Sequence, residues 1–240
     1  MAHRPRFNSR VSASATIEMG GARLQLLAGR AAYWPERSAL LVSDMHFGKA
    51  AALRAAGRPV PPGTTAADLE RLDRLLADTG AERLWITGDF LHSPSSRHQP
   101  TLDRLGAWFA ARPGLERLLV RGNHDERAGD PPAAWGFEVV DEPHDVGPWC
   151  LCHYPRKDAD KPSIAGHLHP GVAIADASGE KLKRPAFLVR RHGLVLPSFG
   201  ALTGSHVYRG EPGERVFAIG ESALLEVPRS RRNVRRPRSA

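Results

Sequence analysis

The stretch Trp85-Ile86-Thr87-Gly88-Asp89-Phe90-Leu91-His92 constrains this chain more than any other. An apolar run enters a glycine, then an acid, and three residues later a histidine. Gly88 permits a sharp turn without a Cβ clash. Asp89 is thereby expected at the carboxyl end of a buried strand, where α/β folds keep their sites. A carboxylate so placed can bridge two metal ions. Four other stretches look built to complete that pair: Asp44-Met45-His46, Gly122-Asn123-His124-Asp125, His153 and Gly166-His167-Leu168-His169. Each follows a short apolar run, and each supplies nitrogen or oxygen donors.

The chain around these motifs changes character midway. Short strands are expected at Thr16–Met19, Arg23–Leu27 and Ala39–Val42, with Gly20-Gly21 and Pro35-Glu36 as turns. A helix over 49–56 should stop at Gly57. Thr64 or Thr65 should cap the next helix, with Leu69, Leu72, Leu75 and Leu76 on its buried face and Gly80 at its end. A third helix, 101–111, presents Leu102, Leu105, Trp108 and Phe109. Strands at 84–86 and 118–120 alternate with these helices, which argues an α/β arrangement. From Phe137 onward the pattern is short strands and turns. Trp34, Trp85, Trp108, Trp135 and Trp149 read as core.

Charge sits at the ends. The total is +8. Arg4, Arg6 and Arg10 before residue 11, and Arg229, Arg231, Arg232, Arg235, Arg236 and Arg238 after residue 228, carry nine positive charges with no acid, so residues 11–227 are at −1. Residues 1–10 are expected to be a flexible basic arm, 1–227 one domain, and 228–240 a disordered Arg-rich tail. The tail is either a solubiliser or a non-specific grip on nucleic acid. No apolar run is long enough to cross a membrane, and no hydrophobic segment follows the basic N-terminus. Cys150 and Cys152 are too few for a disulfide framework. Their i, i+2 spacing puts both on one strand face, so they are read as reduced core residues and the protein as cytoplasmic; nucleoid association is a separate expectation, tied to DNA as the partner.

Asp44-x-His46, Gly88-Asp89, Gly122-Asn123-His124-Asp125, His153 and Gly166-His167-x-His169, in that order, resemble the full motif set of the calcineurin-like metallophosphoesterases. Singly these motifs are weak or moderate signals; together and in order they are strong. The segments Leu41–Ala50 and Leu196–Gly204 resemble most the bacterial ligase-associated DNA damage response endonucleases, the PdeM group. The resemblance implies a four-layer α/β sandwich, two mixed β-sheets packed face to face with helices outside. It implies Asp44, His46 and His169 on a first metal, Asn123, His153 and His167 on a second, and Asp89 between them. It also implies manganese as the metal, DNA as the substrate, and an ATP-dependent DNA ligase and a helicase as partners.

The chemistry also follows from the residues. Phosphodiester hydrolysis requires a strong nucleophile near neutral pH and neutralised charge at phosphorus. Two cations about 3.5–4 Å apart supply both, through a bridging hydroxide and a clamp on the oxygens. Mixed imidazole, carboxylate and amide donors suit Mn, Fe, Zn or Ni. The expected activity is DNA endonuclease. The alternatives are a small-molecule phosphatase or nucleotide pyrophosphatase on the same scaffold, and a DNA-binding repair subunit with a vestigial metal site. His124 is assigned proton donation, assisted or partly replaced by His92, which stands where many family phosphatases carry an acid. Lys49 is a weaker candidate for touching a substrate phosphate, as is the tail. Asp125 is expected to orient the loop around His124. His98, His144, His192 and His206 are read as structural.

Overall fold

The computed structural model describes residues 11–157, 160–175, 180–208 and 211–228. The basic arm and the tail arginines lie outside these residues. A two-residue strand, β1 (Val11–Ser12), leads into a first sheet that takes its strands in chain order. These are β2 (Ser14–Met19), β3 (Ala22–Leu27), β4 (Ala31–Trp34), β5 (Ala39–Val42), β6 (Arg83–Thr87), β7 (Glu116–Val120) and β8 (Phe137–Val140). Pairing is antiparallel from β2 to β5 and parallel from β5 to β8. The continuous apolar runs of β5, β6 and β7 suit parallel strands covered on both faces.

The helices lie between the parallel strands: α1 (Lys49–Ala55), α2 (Thr64–Thr79), α3 (Gln99–Ala110) and α4 (Asn123–Ala128). Leu69, Leu72 and Leu75 of α2 and Leu105, Trp108 and Phe109 of α3 pack on Leu40, Val42, Leu84, Ile86 and Leu119 of the first sheet. One expectation needs correction. Neither Thr64 nor Thr65 caps α2. Gly63 does, with φ 85° and no side-chain hydrogen bond; the left-handed entry suits a residue without Cβ. The C-terminus follows the expectation, Gly80 being left-handed with its N–H donating to the Leu76 carbonyl.

The second sheet comprises β9 (His144–Val146), β10 (Trp149–Leu151), β11 (Ser163–Ala165), β12 (Pro170–Ala175), β13 (Lys181–Arg190), β14 (Gly193–Val195), β15 (His206–Val207), β16 (Arg215–Ile219) and β17 (Leu224–Glu226), with β1 at its edge. It too is mixed: β10, β11 and β14 run parallel while β13, β16 and β17 run antiparallel. The two sheets close on one another through Ile17, Leu24, Leu26, Trp34, Leu41, Trp85 and Leu118 from one side and Trp149, Leu151, Ile164, Phe187, Leu194 and Phe217 from the other. Alternation sorts the remainder outward: Phe187 and Phe217 face this core, whereas Ala186, Leu188, Val216 and Ala218 pack with Val172 on the outer face.

The result is two mixed β-sheets flanked by helices. All five tryptophans are buried, and Trp34 meets Trp149 at 4.3 Å between ring centroids. Cys150 and Cys152 are buried free thiols with their sulfurs 3.6 Å apart. Among the described residues no helix is long and apolar enough to cross a membrane. A parallel bridge between Ser43 and Ser198 ties the ends of the two sheets together. The carboxyl ends of β5, β6, β7, β10 and β11 thereby open on one edge.

Candidate metal centre

Three of the five motifs leave their strands through a backbone state that most residues avoid. Asp44 (φ 52°), His46 (47°), Asp89 (56°), His167 (66°) and His169 (43°) are all left-handed. Such states cost about 1–3 kcal/mol each and persist only where the surroundings fix them. Here the surroundings are backbone hydrogen bonds between loops: Asp44 N–H donates to the Gly88 carbonyl at 3.0 Å, His46 N–H to Asp89 at 2.9 Å, and His92 N–H to Phe47 at 3.1 Å. Two glycines let the loops close. A Cβ on Gly122 would overlap the Asp89 carboxylate, and one on Gly166 would overlap Ser43 Oγ and crowd Asp44.

Asp89, 2% exposed, lies between two groups of donors. Its Oδ2 is 3.5 Å from His46 Nε2, and its Oδ1 is 3.5 Å from His153 Nε2. On the first side Asp44, His46, Asp89 and His169 each bring one donor atom within 4.8 Å of the others. On the second side His153 Nε2 is 3.1 Å from both Asn123 Oδ1 and His167 Nδ1. The structure thus brings all seven candidate ligands together. His124 and His92 join from the rim: His46, His92 and His124 also present three ring nitrogens within 4.8 Å of one another.

The donor set fits divalent cations. His46 Nε2 and His169 Nε2 are buried without a hydrogen-bond partner; Asp44 Oδ1 approaches the latter at 3.2 Å without hydrogen-bond geometry. His153 Nδ1 faces the Thr87 carbonyl at 3.1 Å. That carbonyl can only accept, so the proton sits on Nδ1 and the Nε2 lone pair faces the amide oxygen of Asn123. Acceptor facing acceptor is unfavourable unless a cation sits between them. Burial works in the same direction. It holds His46 far below the usual imidazole range, with His124, Lys49, His169 and His92 adding to it. It also lowers His167, next to His153. Neutral imidazoles keep their lone pairs for a metal. Burial raises Asp89, opposed chiefly by His153.

The two rim histidines are held differently. His124 Nδ1 lies 2.5 Å from the backbone carbonyl of His92, so His124 Nε2 is left free toward the site. The His92 imidazole lies against His46, Nδ1 to Nδ1 at 3.3 Å. Burial, then Lys49 and His124, lower its pKa to about 4. His92 therefore orients His124 through its main chain and touches His46 through its side chain. Asp125 does what was expected of it. Its Oδ1 accepts from the Phe90 and Leu91 N–H groups at 2.9 and 3.2 Å, and its Oδ2 from Gly122 at 3.0 Å. Burial still raises its pKa to about 6. Lys49 is half-buried in the field of Asp89 and Asp44, and desolvation lowers its pKa.

Other supports carry no sequence motif. Glu142 Oε2 accepts from the His153 and Tyr154 N–H groups at 2.6 and 3.0 Å. The segment Leu196–Gly204 runs beneath Asp44, with Phe199 N–H donating to Ser43 and Gly200 N–H to Asp44. Asp68 holds it from below, pairing with Arg71 at 2.7 Å and accepting from Ala201 N–H; Arg71 also donates to the Phe199 carbonyl. Sequence reasoning missed Asp68, whose one signal is an acid on the same helical face as Leu72 and Leu75. Of the histidines read as structural, His98 caps α3 by accepting from Thr101 N–H. His206 instead lies 6.4 Å from the His169 ring.

A family model for calcineurin-like phosphoesterases matches residues 38–188, which include every candidate ligand. No curated protein sequence matches the chain. Among solved structures the chain is similar to a nuclease, MPE, from Pseudomonas putida: 39% identity over 89% of this chain and 100% of that one, with a TM-score of 0.79. It is less similar to Yfce, a phosphoesterase from E. coli, at 17% identity, 78% and 95% coverage and a TM-score of 0.39. A protein of unknown function from Aquifex aeolicus, AQ665, has 21% identity, 55% and 78% coverage and a TM-score of 0.38.

Proposed function

The chain belongs to the calcineurin-like phosphoesterase family, and from that premise we propose that it is a DNA endonuclease of DNA repair, hydrolysing phosphodiester bonds with two divalent cations, manganese first among them. The observation that carries the reading is Asp89 with a donor group on each side. Asp44, His46 and His169 would hold one cation, Asn123, His153 and His167 the other, and Asp89 both. The nuclease from Pseudomonas putida, at 39% identity, and the six arginines after residue 228 favour nucleic acid over a small ester. An ATP-dependent DNA ligase and a helicase are the proposed partners in repair.

Bound there, two cations supply a water of near-neutral pKa and neutralise charge at phosphorus. The remaining work falls to side chains. His124, anchored through Nδ1–H on the His92 carbonyl, acts as the doubly protonated imidazolium: it gives the Nε2 proton to the leaving oxygen and ends neutral with its proton on Nδ1. His46, with Nε2 reserved for metal, carries its proton on Nδ1 and donates it to His92 Nδ1. The neutral His92 then keeps a proton on Nε2 and can hydrogen-bond a phosphate oxygen. Lys49 adds positive charge at the same rim.

Plasmid nicking with added manganese, run beside Asp89→Asn and beside turnover of bis(p-nitrophenyl) phosphate, tests this. Nicking that Asp89→Asn abolishes is the expected result. Turnover of the chromogenic diester without nicking would make the protein a small-molecule enzyme. Neither activity would leave a binding subunit.

A further inference from the structure

Three large apolar side chains are exposed among the described residues: Tyr154 (43%), Leu182 (38%) and Val207 (54%). Two of the three border the candidate metal centre. The Tyr154 ring lies 4.2 Å from the His167 ring, with planes inclined at 53°. Val207 lines a cleft of about 390 Å³ together with His167, Leu168, Pro170, His206 and Tyr208. His167 is thus common to both. Single exposed apolar side chains are ordinary, whereas apolar surface gathered around one residue of a polar centre is a feature of binding sites.

The backbone carrying these side chains is pinned to the ligand segments. Tyr154 N–H donates to Glu142, which also holds His153. His206 N–H donates to the His169 carbonyl at 2.8 Å, and Tyr208 N–H to Gly171 at 2.7 Å. The Tyr208 hydroxyl is tied to Arg190 and Glu214 at 2.9 and 3.0 Å. The apolar surface is therefore preformed. Any diester bound at the clustered donors carries a substituent away from phosphorus on each side. On the flank of Asn123, His153 and His167, that substituent meets Tyr154 and the cleft. An aromatic ring offers a base a π-face, and tyrosine orders few torsions in doing so. A protein partner seated there would cover the rim by which phosphate enters.

We propose that Tyr154 and the adjoining cleft form a nucleobase subsite, in which a base flanking the scissile phosphate stacks on the Tyr154 ring. This rests on the phosphodiesterase reading and deepens it. Tyr154 is then a substrate-positioning residue of the rim.

The test is equilibrium binding of the full chain, with manganese present, to a labelled thymidine oligonucleotide and to an abasic oligonucleotide of equal length, both with hydrolysis-resistant phosphorothioate linkages, followed by fluorescence anisotropy. Wild type should prefer the thymidine strand. Tyr154→Ala should lose about tenfold on that strand, the scale of one base–aromatic stack, and nothing on the abasic one; Tyr154→Trp should restore it. Equal loss on both strands would mean that Tyr154 merely supports His167, and no loss would mean that no base sits there. Either result overturns the proposal. So would sedimentation showing a dimer that Tyr154→Ala dissociates. Turnover of bis(p-nitrophenyl) phosphate with manganese reads the phosphodiesterase premise separately, so failure of one is distinguishable from failure of the other.

Discussion

Asp125 is where the reasoning can be tested most sharply without any metal. One buried carboxylate, 1% exposed, accepts three backbone N–H groups from two different loops: Phe90 and Leu91 after β6, and Gly122 after β7. It therefore clamps the Asp89 loop to the Asn123-His124 loop. Asp125→Asn keeps an oxygen for Phe90 and Leu91 but turns an NH2 toward the Gly122 N–H. One buried donor is left unpaired, which costs about 1–3 kcal/mol. Asp125→Ala strands all three. Partial relaxation and water entry prevent simple addition, and about 4 kcal/mol is expected, at the upper end for a single substitution. Urea denaturation of the metal-free protein reads this as a lower midpoint at unchanged slope. Activity should fall further than folding does, because a displacement of about 1 Å in a positioned group can cost on the order of 100-fold. If Asp125→Ala lost under about 1 kcal/mol at unchanged slope, the clamp argument would be wrong.

Three other expectations follow from the same geometry. Asp89→Asn should abolish turnover and lower manganese content at limiting metal, since both donor groups lose their shared charge; near wild-type activity under those conditions would refute the two-metal proposal. Removing residues 229–240 should weaken DNA binding and reduce the slope of log affinity against log salt by roughly 4–5, from six arginines at about 0.7–0.9 each, while turnover of a chromogenic diester stays unchanged. His124→Ala should slow DNA cleavage far more than p-nitrophenyl diester hydrolysis, because an alkoxide needs a proton to leave and p-nitrophenolate does not, whereas His92→Ala, which keeps the carbonyl that anchors His124, should slow both substrates alike; comparable losses on both substrates for His124→Ala, read with metal content, would reassign His124 to metal support.

What the sequence made legible was local. A ligand type directly after an apolar run needs only a few neighbouring residues to be read, and this holds for Asp44, Asp89, Asn123, His153 and His167. Long apolar or periodic runs such as Leu84–Ile86 and Leu69–Leu76 were legible for the same reason. Short elements were not. β4 is four residues of Ala-Ala-Tyr-Trp, and β9 is three residues with an aspartate in the middle. α4 begins inside the Asn-His motif and is six residues long. The supports were hidden by distance along the chain. Glu142 reaches His153 across a turn, and Asp68 meets Ala201 from 133 residues away. Tyr154 lay in plain view beside His153, but its exposure is a tertiary property.

The left-handed ligands join these levels. Glycine would enter such a backbone state freely, yet it has no donor to offer, so aspartate and histidine must occupy it at a cost. The glycines stand nearby instead. Gly122 and Gly166 give up their side chains so that Asp89 and Asp44 can approach the neighbouring loops. Interloop hydrogen bonds hold five strained residues, and His46 and His169 still bury nitrogens with no partner. Such an arrangement is unfavourable for folding alone. Each cost falls on a residue that aims a lone pair at the same small volume, and a cation bound only by the folded state returns stability by mass action. Sequence spacing could name the donors. Only the backbone angles, together with the unpartnered nitrogens, reveal that the fold is strained in their favour.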